Sequence, residues 1–437
     1  MIPTQIILKA AVLFVAFFFV TCTTNVKKDN TQTGQNVEKL EITSKYQEDK
    51  NSFTKKIANK IVPFKYDDVD DFSEGFAVVK LDHKYGFIDK TGKVVISFKY
   101  DNAYGFSEGF AAVKLNRKYG FINIEDNNVI PFKYDFVWDF TEGLACVKLN
   151  GKQGFIDKVG NEVIPFKYDF VANFLEGFAC VRLNAKCGFI DKTAKELTAL
   201  KYDDVRGFSE GLAAVGINNK YGFIDKTGNE VISLKYDEVD EFTNGFARVK
   251  LNNKHGFINK EGKEIIPLKY DDAYYPFSES LVSVKLNDKW GYADKTGKVV
   301  IALKYDYASK FSEGLAAVHL NGKYSYVDKA GKVVIPLKYD DVYSFAEGFA
   351  AVRLNNKYGF INKTGKEVIP LKYEDVDNFT DGFACVKLND KYGFIDKTGK
   401  EVIPLKYDYA YHLFSEGFVR VKLNAKCGFV DITGKEI

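Results

Sequence analysis

Residues 65–98 read KYDDVDDFSEGFAVVKLDHKYGFIDKTGKVVISF, and the rest of the chain repeats this 34-residue stretch with small changes. Its opening Lys-Tyr pair occurs eleven times, with the lysine at Lys65, Lys99, Lys133, Lys167, Lys201, Lys235, Lys269, Lys304, Lys338, Lys372 and Lys406. One step is 35 residues because Pro276 adds a position before Phe277, and a similar insertion precedes Phe414. A fixed period of about 20 to 50 residues indicates an array of supersecondary units, none of which can bury its apolar faces alone.

The unbroken period indicates one continuous repeat domain. A length of 437 residues would by itself suggest about three domains. However, no linker rich in Pro, Gly or Ser interrupts the repeats, so we place a single domain at residues 53–437, beginning with a partial unit at Phe53. The composition, 46% hydrophobic and 15% aromatic, supplies a continuous core and is typical of a globular chain.

Each repeat has the pattern of short β-strands joined by tight turns. Residues 76–81 and 84–89 flank Asp82-His83, a two-residue turn that recurs as Asn-Asn or Asn-Gly in other copies. Type I′ hairpin turns need positive φ at both central positions, which Asn and Gly tolerate best. A second turn at residues 90–92 leads into residues 93–96. We therefore predict a three-stranded antiparallel meander, with residues 99–109 as the connection to the next unit.

The predicted hairpin has two apolar faces. If Leu81 lies opposite Lys84, then Val79 faces Gly86 on one side and Val78 faces Phe87 on the other. A sheet that is apolar on both faces must be covered on both, which a stack of neighbouring repeats achieves. We expect a ring or a backbone segment to lie against Gly86, because glycine inside a strand otherwise weakens it.

The predicted fold is all-β, a tandem array of eleven three-stranded repeats in an open, superhelical, solenoid-like arrangement. The alternative is a closed β-propeller. Closure by an N-terminal strand is conceivable, because the array starts at residues 61–63 and ends at Glu436-Ile437 in nearly the same phase of the repeat. Eleven units, however, exceed the usual four to eight or so propeller blades, and 34 residues encode three strands more comfortably than four.

The repeat resembles the bacterial WG-repeat family. The resemblance is carried by Phe-Ser-Glu-Gly-Phe-Ala-x-Val, Lys-Tyr-Gly-Phe-Ile-Asp and Gly-Lys-x-Val-Ile-Pro, which recur through nearly the whole chain. Trp290-Gly291 is the one copy with the signature tryptophan, and tyrosine such as Tyr85 or Tyr358 occupies this slot in most others. What the resemblance implies is a β-repeat array, often on exported bacterial proteins, without an agreed activity or any catalytic residue.

The N-terminus has a different composition. Lys9 precedes an eleven-residue apolar run, residues 10–20. This is the length of a signal-peptide core, whereas about 20 residues are needed to span a bilayer. Cys22, just after this run, resembles the lipid-modified cysteine of a bacterial lipoprotein. We predict a lipoprotein-type signal peptide at 1–22, a disordered polar tether at 23–52 and export to the bacterial cell envelope on an N-terminal lipid anchor at Cys22.

Cysteine and histidine do not form a recognisable site in the sequence. Cys146, Cys180 and Cys385 fall at the repeat position of Val78, which suggests core substitutions. The histidines occupy four different repeat positions, so no metal site is predicted among them. The sequence also lacks a phosphate-binding loop, a zinc spacing and a nucleophile elbow. We therefore predict no catalytic residue, no metal and no cofactor, and a protein that is not an enzyme.

Two rows of charged residues are the candidate binding positions. The acidic row contains Glu74, Glu108, Glu142, Glu176, Glu210 and Glu313, and the basic row contains Lys84, Lys118, Lys220, Lys323 and Lys357. The acidic row is interpreted as a solvated turn or as carboxylates that meet a cationic partner. The basic row is interpreted as solubilising residues that deter edge-to-edge pairing of strands.

We expect an extracytoplasmic, membrane-anchored module that binds or scaffolds an envelope or extracellular protein, because repeats create an extended surface. Glycan or peptidoglycan binding is the main alternative and requires solvent-facing rows of aromatic rings. A third hypothesis, an enzyme with a hidden asymmetric site, requires a cleft near residues 274–276 or 409–412. Nucleic acid is not an expected partner, because the formal net charge is only +3 and Lys alternates with Asp.

Overall fold

The computed structural model describes residues 64–437, in which the regular elements are β-strands. Within this range no helix is long and apolar enough to cross a membrane. The predicted signal peptide 1–22, the tether 23–52 and the partial unit from Phe53 lie outside the described residues. The all-β prediction is confirmed for residues 64–437.

The strands form eleven small antiparallel sheets, which we number blades 1 to 11 in chain order. The first strands are Asp68–Val69, Asn102–Ser107, Phe136–Val137, Phe170–Val171, Asp204–Ser209, Glu238–Val239, Asp272–Ala273, Tyr307–Ala308, Asp341–Val342, Asp375–Val376 and Tyr409–Ala410. The second strands are Phe76–Leu81, Phe110–Leu115, Leu144–Leu149, Phe178–Leu183, Leu212–Ile217, Phe246–Leu251, Leu281–Leu286, Leu315–Leu320, Phe349–Leu354, Phe383–Leu388 and Phe418–Leu423.

The third strands are Lys84–Asp89, Lys118–Ile122, Lys152–Asp157, Lys186–Asp191, Lys220–Asp225, Lys254–Asn259, Lys289–Asp294, Lys323–Asp328, Lys357–Asn362, Lys391–Asp396 and Lys426–Asp431. The fourth strands are Val94–Tyr100, Asn128–Tyr134, Glu162–Tyr168, Glu230–Tyr236, Glu264–Tyr270, Val299–Tyr305, Val333–Tyr339, Glu367–Tyr373 and Glu401–Tyr407. Blades 4 and 11 have isolated bridges in place of a continuous fourth strand. In each blade the strands pair in sequence order.

The predicted hairpin register is confirmed. Leu81 pairs with Lys84, Val79 with Gly86 and Val78 with Phe87. Asp82 and His83 have φ of 49° and 65°, as the predicted two-residue turn requires. The expectation about Gly86 is also confirmed, because an added Cβ would lie 2.6 Å from the carbonyl oxygen of Ile96 in the fourth strand.

The prediction of three strands per repeat is wrong, because part of the proposed connection forms an additional strand. Asp68 pairs with Lys80 and Val69 pairs with Val79. The strand then leaves the ladder and returns at Ser73, whose backbone exchanges two hydrogen bonds with Phe76 around the Glu74-Gly75 turn. A strand of two paired residues uses few positions, so 34 residues suffice for four strands.

The prediction of an open superhelix is also wrong, since the eleven blades close into a ring and form a β-propeller. The backbone N–H of Cys427 in blade 11 donates to the carbonyl of Tyr66, 2.9 Å away. This bridge is equivalent to the pairing of Tyr85 with Tyr100 inside blade 1. Phe64 to Tyr66 therefore supplies part of the outer strand of blade 11, and Glu436, which bridges to Val430, supplies the other part.

The contacts across this closing seam match those between successive blades. Phe72 packs against Phe418 and Phe429 at ring-centroid distances of 4.9 and 4.8 Å. Its counterpart Phe106 packs in the same way against two phenylalanines of blade 1, at 5.3 and 5.1 Å. Because the first and last blades meet with the geometry of neighbours, the ring has no free end blade.

The hydrophobic core lies between blades. One buried cluster, for example, joins Val78, Phe87 and Tyr100 of blade 1 to Phe106 and Val113 of blade 2. Equivalent clusters recur around the ring, which confirms that both sheet faces are covered by neighbouring units. Burying one such aromatic side chain contributes about 1.5–3 kcal/mol, so each interface between blades is held mainly by apolar contacts.

Candidate functional site

The basic row forms salt bridges between neighbouring blades. Lys84 Nζ lies 2.6 Å from Asp101 Oδ1, at the start of the next blade. The same Lys–Asp pair recurs for Lys118, Lys152, Lys186, Lys220, Lys254, Lys289, Lys323, Lys391 and Lys426, the last of which reaches Asp67 at 2.7 Å and closes the circle. Lys357 lies 3.9 Å from Glu374 at the equivalent place. Each lysine side chain is nearly half exposed, so solvent screening keeps the contribution of any single pair to stability small.

The acids that pair with these lysines also hold the hairpin turns. Asp237, for example, accepts a hydrogen bond from Lys220 at 2.6 Å and another from the backbone N–H of Asn252 at 2.7 Å. The hydrogen bond from Lys220 lowers the pKa of the Asp237 carboxyl, and the backbone donor lowers it further. The carboxylate of Asp237 thus links the hairpin turn of blade 6 to Lys220 of blade 5.

The acidic row also joins neighbouring blades, at the opposite end of the strands. Glu313 accepts a hydrogen bond from the backbone N–H of Gly348 at 3.0 Å, and Lys363 Nζ lies 3.1 Å from the same carboxylate oxygen. The glycine contact recurs for Glu74, Glu108, Glu176, Glu210, Glu279, Glu347 and Glu416, and Glu142 has the lysine contact. The cationic groups that meet this row within the described residues belong to the protein itself.

Both candidate rows therefore contribute to the contacts that hold the ring together. They are repeated almost unchanged because each blade makes the same contact with the next. Their binding to a partner stays a prediction, and a surface that distinguishes one partner from another needs residues that differ between blades.

Such residues are found at five repeat positions, which we call the variable band. They are the position of Asp68 in the first strand, that of Asp70 directly after this strand, those of Val78 and Lys80 in the second strand and that of Tyr85 in the third strand. Because equivalent positions occupy equivalent places around a ring, these residues form one continuous band. The first two positions are mostly exposed or half-buried, and the position of Val78 is a buried floor of small residues in most blades.

Aromatic side chains dominate the band in blades 2 to 3 and 7 to 9. Tyr274 stacks on Trp290 with 4.8 Å between ring centroids and 13° between ring planes. Tyr307 of blade 8 meets Tyr274 edge-on at 6.0 Å. In blade 3, Phe136 contacts Trp138 at 4.6 Å. Trp138 is 36% exposed and Tyr274 is 39% exposed, so these aromatic groups are accessible to a ligand.

Charged residues dominate the band in blades 5 and 6. Arg248 donates from Nε to Asp240 and from Nη1 to the carbonyl of Ala273 in the next blade, both at 2.6 Å. Arg206 of blade 5 lies 3.7 Å from the same Asp240. These groups line a small cleft together with Glu238, Lys250 and His255. Desolvation lowers the pKa of His255, and the positive charge of Arg248 acts in the same direction.

In blades 10, 11 and 1 the band combines an arginine stacked on a tyrosine with a cluster of Asp, Cys and His side chains. Arg420 lies over the ring of Tyr411 at 3.8 Å and pairs with Asp71 of blade 1 at 2.8 Å. Asp377, Cys385 and His412 bring a carboxylate oxygen, a sulfur and an imidazole nitrogen within 4.8 Å of one another, and this cluster could hold a metal ion. It includes His412, from residues 409–412, one of the two irregular places noted in the sequence.

Sequence reasoning missed the variable band because it searched for what the repeats share. The variation between repeats was nevertheless visible in the sequence. Aligning the eleven copies isolates Asp70, Tyr104, Trp138, Arg206 and Tyr274 at one position, where residue type changes completely. What the alignment lacked was burial, because a position that varies in the sequence is a binding candidate only if its side chain reaches solvent.

A family model for the WG containing repeat matches the chain in eleven consecutive segments, at residues 58–85, 85–119, 119–152, 154–187, 188–221, 221–254, 256–290, 290–324, 324–358, 358–392 and 392–427. No curated protein sequence matches the chain. The segments follow the period of the repeat, and together they span the eleven blades.

Several solved structures resemble the fold at low sequence identity. A eukaryotic initiation factor is 13% identical, with 65% of this chain and 92% of that chain covered and a TM-score of 0.39. The extracellular domain of a putative one component system from B. thetaiotaomicron is 9% identical, covering 84% and 70%, with a TM-score of 0.27. PorZ, a bacterial surface component of the type-IX secretion system of Porphyromonas gingivalis, is 9% identical, covering 86% and 59%, with a TM-score of 0.24.

Proposed function

The chain belongs to the WG containing repeat family, and we propose that it is an extracytoplasmic binding or scaffolding module whose variable band binds a protein of the cell envelope or the extracellular space. The observation that carries this proposal is the contrast between the blades. Their interfaces repeat almost without change, while the composition of the band changes around the ring: the position of Asp70, for example, holds Asp, Tyr, Trp, Ala, Arg or Ser. Uniform contacts between blades suit a structural framework, whereas recognition of one particular partner requires side chains that differ along the binding surface.

A protein partner is favoured by the chemistry of the band. Tyr, Trp and Arg are the residues that most often contribute large binding energies at protein interfaces. The band contains Trp138, Trp290, Arg206, Arg248 and Tyr274, interspersed with carboxylates. A partner with its own aromatic and charged groups would complement this mixture.

Glycan binding is a second candidate, and the exposed aromatic rings support it. Trp138, Phe170, Tyr274 and Tyr409 are each 36–40% exposed. A sugar ring can pack on such a face. However, the row is interrupted by Asp, Glu and Arg at the same positions in blades 1, 5, 6 and 10, so it does not form the continuous aromatic track that a long glycan would favour.

The test uses the full chain as bait in envelope extract, beside a glycan array. Trp138→Ala and Tyr274→Ala remove accessible rings from the band, and each should weaken capture of the same protein by about fivefold or more, the effect of losing more than about 1 kcal/mol. Val159→Ala is the matched control, because Val159 is 70% exposed and lies in a turn outside the band.

Glu313→Gln tests the acidic row separately. We expect it to change affinity by less than about 1 kcal/mol, since the carboxylate is one of many similar groups. Equal capture by wild type and both aromatic variants would refute the band as the binding surface. Sugar binding that is lost in Tyr274→Ala, without capture of a protein, would favour the glycan candidate.

Location at the envelope is part of the same proposal. It rests on the apolar run of residues 10–20 and on Cys22, which would attach the module to a lipid.

A further inference from the structure

The strongest unassigned cluster of polar side chains lies between blades 10 and 11. A carboxylate oxygen of Asp377, the sulfur of Cys385 and a ring nitrogen of His412 all lie within 4.8 Å of one another. Nδ1 of His412 is in direct contact with Oδ2 of Asp377. Cys385 is only 3% exposed, while the Asp377 and His412 side chains are 37% and 49% exposed. The cluster thus has a buried floor and an open side.

Each of the three residues reaches the cluster for a different reason. Cys385 occupies the floor position of the variable band in the second strand of blade 10. Asp377 follows the first strand, and its backbone N–H donates to the carbonyl of Cys385 at 2.9 Å. His412 belongs to blade 11, in the segment that carries the extra residue before Phe414, and its side chain contacts Asp377 of blade 10. The other 35-residue repeat has Tyr275 and Pro276 at the equivalent place.

We propose that Asp377, Cys385 and His412 bind one Zn²⁺ ion. Zinc in proteins is held by thiolate sulfur, imidazole nitrogen and carboxylate oxygen at about 2.0–2.3 Å, which places tetrahedral ligand atoms about 3.5 Å apart. The ligand atoms lie within 4.8 Å of one another, so zinc binding requires side-chain rotations that draw the sulfur closer and move His412 and Asp377 apart. Binding releases the proton of the Cys385 thiol to solvent, because the thiolate is the ligand.

Comparison with other blades supports a cation at this place. In blade 6 the equivalent aspartate, Asp240, faces Arg248, which extends from the floor position. At the seam, Arg420 extends from the floor position of blade 11 and pairs with Asp70 of blade 1. Blade 10 retains the aspartate but has cysteine at the floor position, and a histidine has been added beside it. Where blade 6 has a guanidinium beside the aspartate, blade 10 has two side chains that are zinc ligands.

An ion pair between His412 and Asp377, without a metal, would explain why two of the three side chains lie together. It gives no role to the sulfur of Cys385, which the same cluster places next to both groups. Three protein ligands leave a fourth position of a tetrahedral zinc for water or for a group of a partner. The zinc site does not depend on the proposed partner of the band.

The test measures metal binding by the full chain after removal of metal with a chelator. Titration with Zn²⁺ against a chromophoric chelator should give one tight site per chain. Co²⁺ should give a thiolate-to-metal charge-transfer absorption, which reports a cysteine ligand independently of affinity. Both signals should be lost in Cys385→Ser, and His412→Gln should weaken binding by more than about 100-fold, beyond the usual effect of outer-sphere partners.

The matched control is Cys146→Ser, since Cys146 occupies the same repeat position in blade 3, is equally buried and has Trp138 in place of the aspartate. It should bind metal like the wild type. His412→Gln changes an exposed side chain, so its effect is not a consequence of misfolding. The absence of a stoichiometric site, a cobalt complex without charge-transfer absorption, or unchanged binding in His412→Gln would each overturn the proposal.

Discussion

Gly86 and its equivalents are the positions where one added carbon atom should have the largest effect. A Cβ at Gly86 would lie 2.6 Å from the carbonyl oxygen of Ile96 and 3.1 Å from the carbonyl carbon of Ser97. Backbone atoms cannot move aside as a flexible side chain can. We expect Gly86→Ala to lower the free energy of unfolding by about 1–3 kcal/mol, the range for overpacked sites.

The control for Gly86→Ala is Gly105→Ala, where the added Cβ would meet only the Cβ of Ser73, at an ordinary distance of 3.5 Å. Urea denaturation of both variants measures the difference. Equal midpoints for the two variants would contradict the explanation. Ser325 shows how the fold accommodates a side chain at this position, because its hydroxyl donates to the carbonyl of Ile335 at 2.6 Å.

Cys22 carries the prediction that locates the protein. Cys22→Ser removes the only sulfur that directly follows the apolar run, so the protein should no longer incorporate a labelled fatty acid and should keep its precursor mass. Metabolic labelling followed by mass spectrometry measures both. Lipid labelling that persists in Cys22→Ser would show that the anchor lies elsewhere.

Residue-level pairing was predictable where both partners lie in one hairpin. The alternation of residues 76–81 and the turn at Asp82-His83 define the register of the hairpin, and each predicted pair is present. The partners of Lys84 and Glu74 were not predictable. They are Asp101 and the backbone of Gly109, in the next blade, and these contacts depend on how blades stack.

At the level of elements, the salt bridges between blades predict acid sensitivity. Hydrogen bonds from the paired lysines lower the pKa of Asp101, Asp135, Asp203, Asp237 and Asp271 in the folded state. The unfolded pKa is about 3.9, so each ionised carboxylate stabilises the fold above that pH. This stabilisation is lost as the pH falls through the lowered folded pKa.

We therefore expect the melting temperature to fall steeply as the pH decreases from about 4 towards 2, because many equivalent carboxylates are protonated together. Calorimetry across this range measures the effect. In about 1 M salt, where the Debye length is about 3 Å, the contribution of the exposed pairs should shrink. A melting temperature that stays constant down to pH 2 would show that these pairs do not stabilise the ring.

The short first strand is the element that sequence reasoning could not identify. Asp68-Val69 makes only two ladder pairs, and after the backbone hydrogen bond from Asp70 to Val78 the chain leaves the ladder before the Glu74-Gly75 turn. An alternating pattern needs several consecutive residues to be recognised. The turn itself was visible as Ser-Glu-Gly, but its identity as a hairpin turn depends on a partner strand that the pattern did not reveal.

At the scale of the whole molecule, closure of the ring makes a quantitative prediction about Tyr66. Tyr66 at the seam and Tyr134 in blade 2 are both 0% exposed, and each hydroxyl is buried without a hydrogen-bond partner in the described structure. Each ring lies about as far from a phenylalanine, at 6.1 and 6.2 Å. In a closed ring, Tyr66→Ala and Tyr134→Ala should lower stability by similar amounts, about 3–5 kcal/mol.

Denaturation of the two alanine variants distinguishes a ring from an open array. In an open array Tyr66 would belong to a frayed end, and its loss would cost little. A Tyr66→Ala variant as stable as the wild type, beside a strongly destabilised Tyr134→Ala, would therefore contradict closure.

The sequence allowed a closed ring as an alternative to the open superhelix, but it did not show which of the two forms. The matching phase of the two chain ends made it possible, and the number of repeats argued against it. The deciding quantity is the rotation from one blade to the next, which arises from packing such as that of Phe106 between Phe76 and Phe87. A small change in this angle, repeated eleven times, separates a ring from a spiral, and no single residue encodes it.

The shared outer strand of blade 11 also has a mechanical consequence. The covalent chain connects each blade to the next from blade 1 to blade 11. Blades 11 and 1 are held together by non-covalent contacts alone, and part of this contact is the backbone hydrogen bond between Cys427 and Tyr66. Any tension applied through the residues upstream of Phe64 reaches this strand before any other. If the chain is held at Cys22, a force on a bound partner would act first on the contact between blades 11 and 1. Breaking this contact would open the ring while the ten junctions between successive blades stay intact.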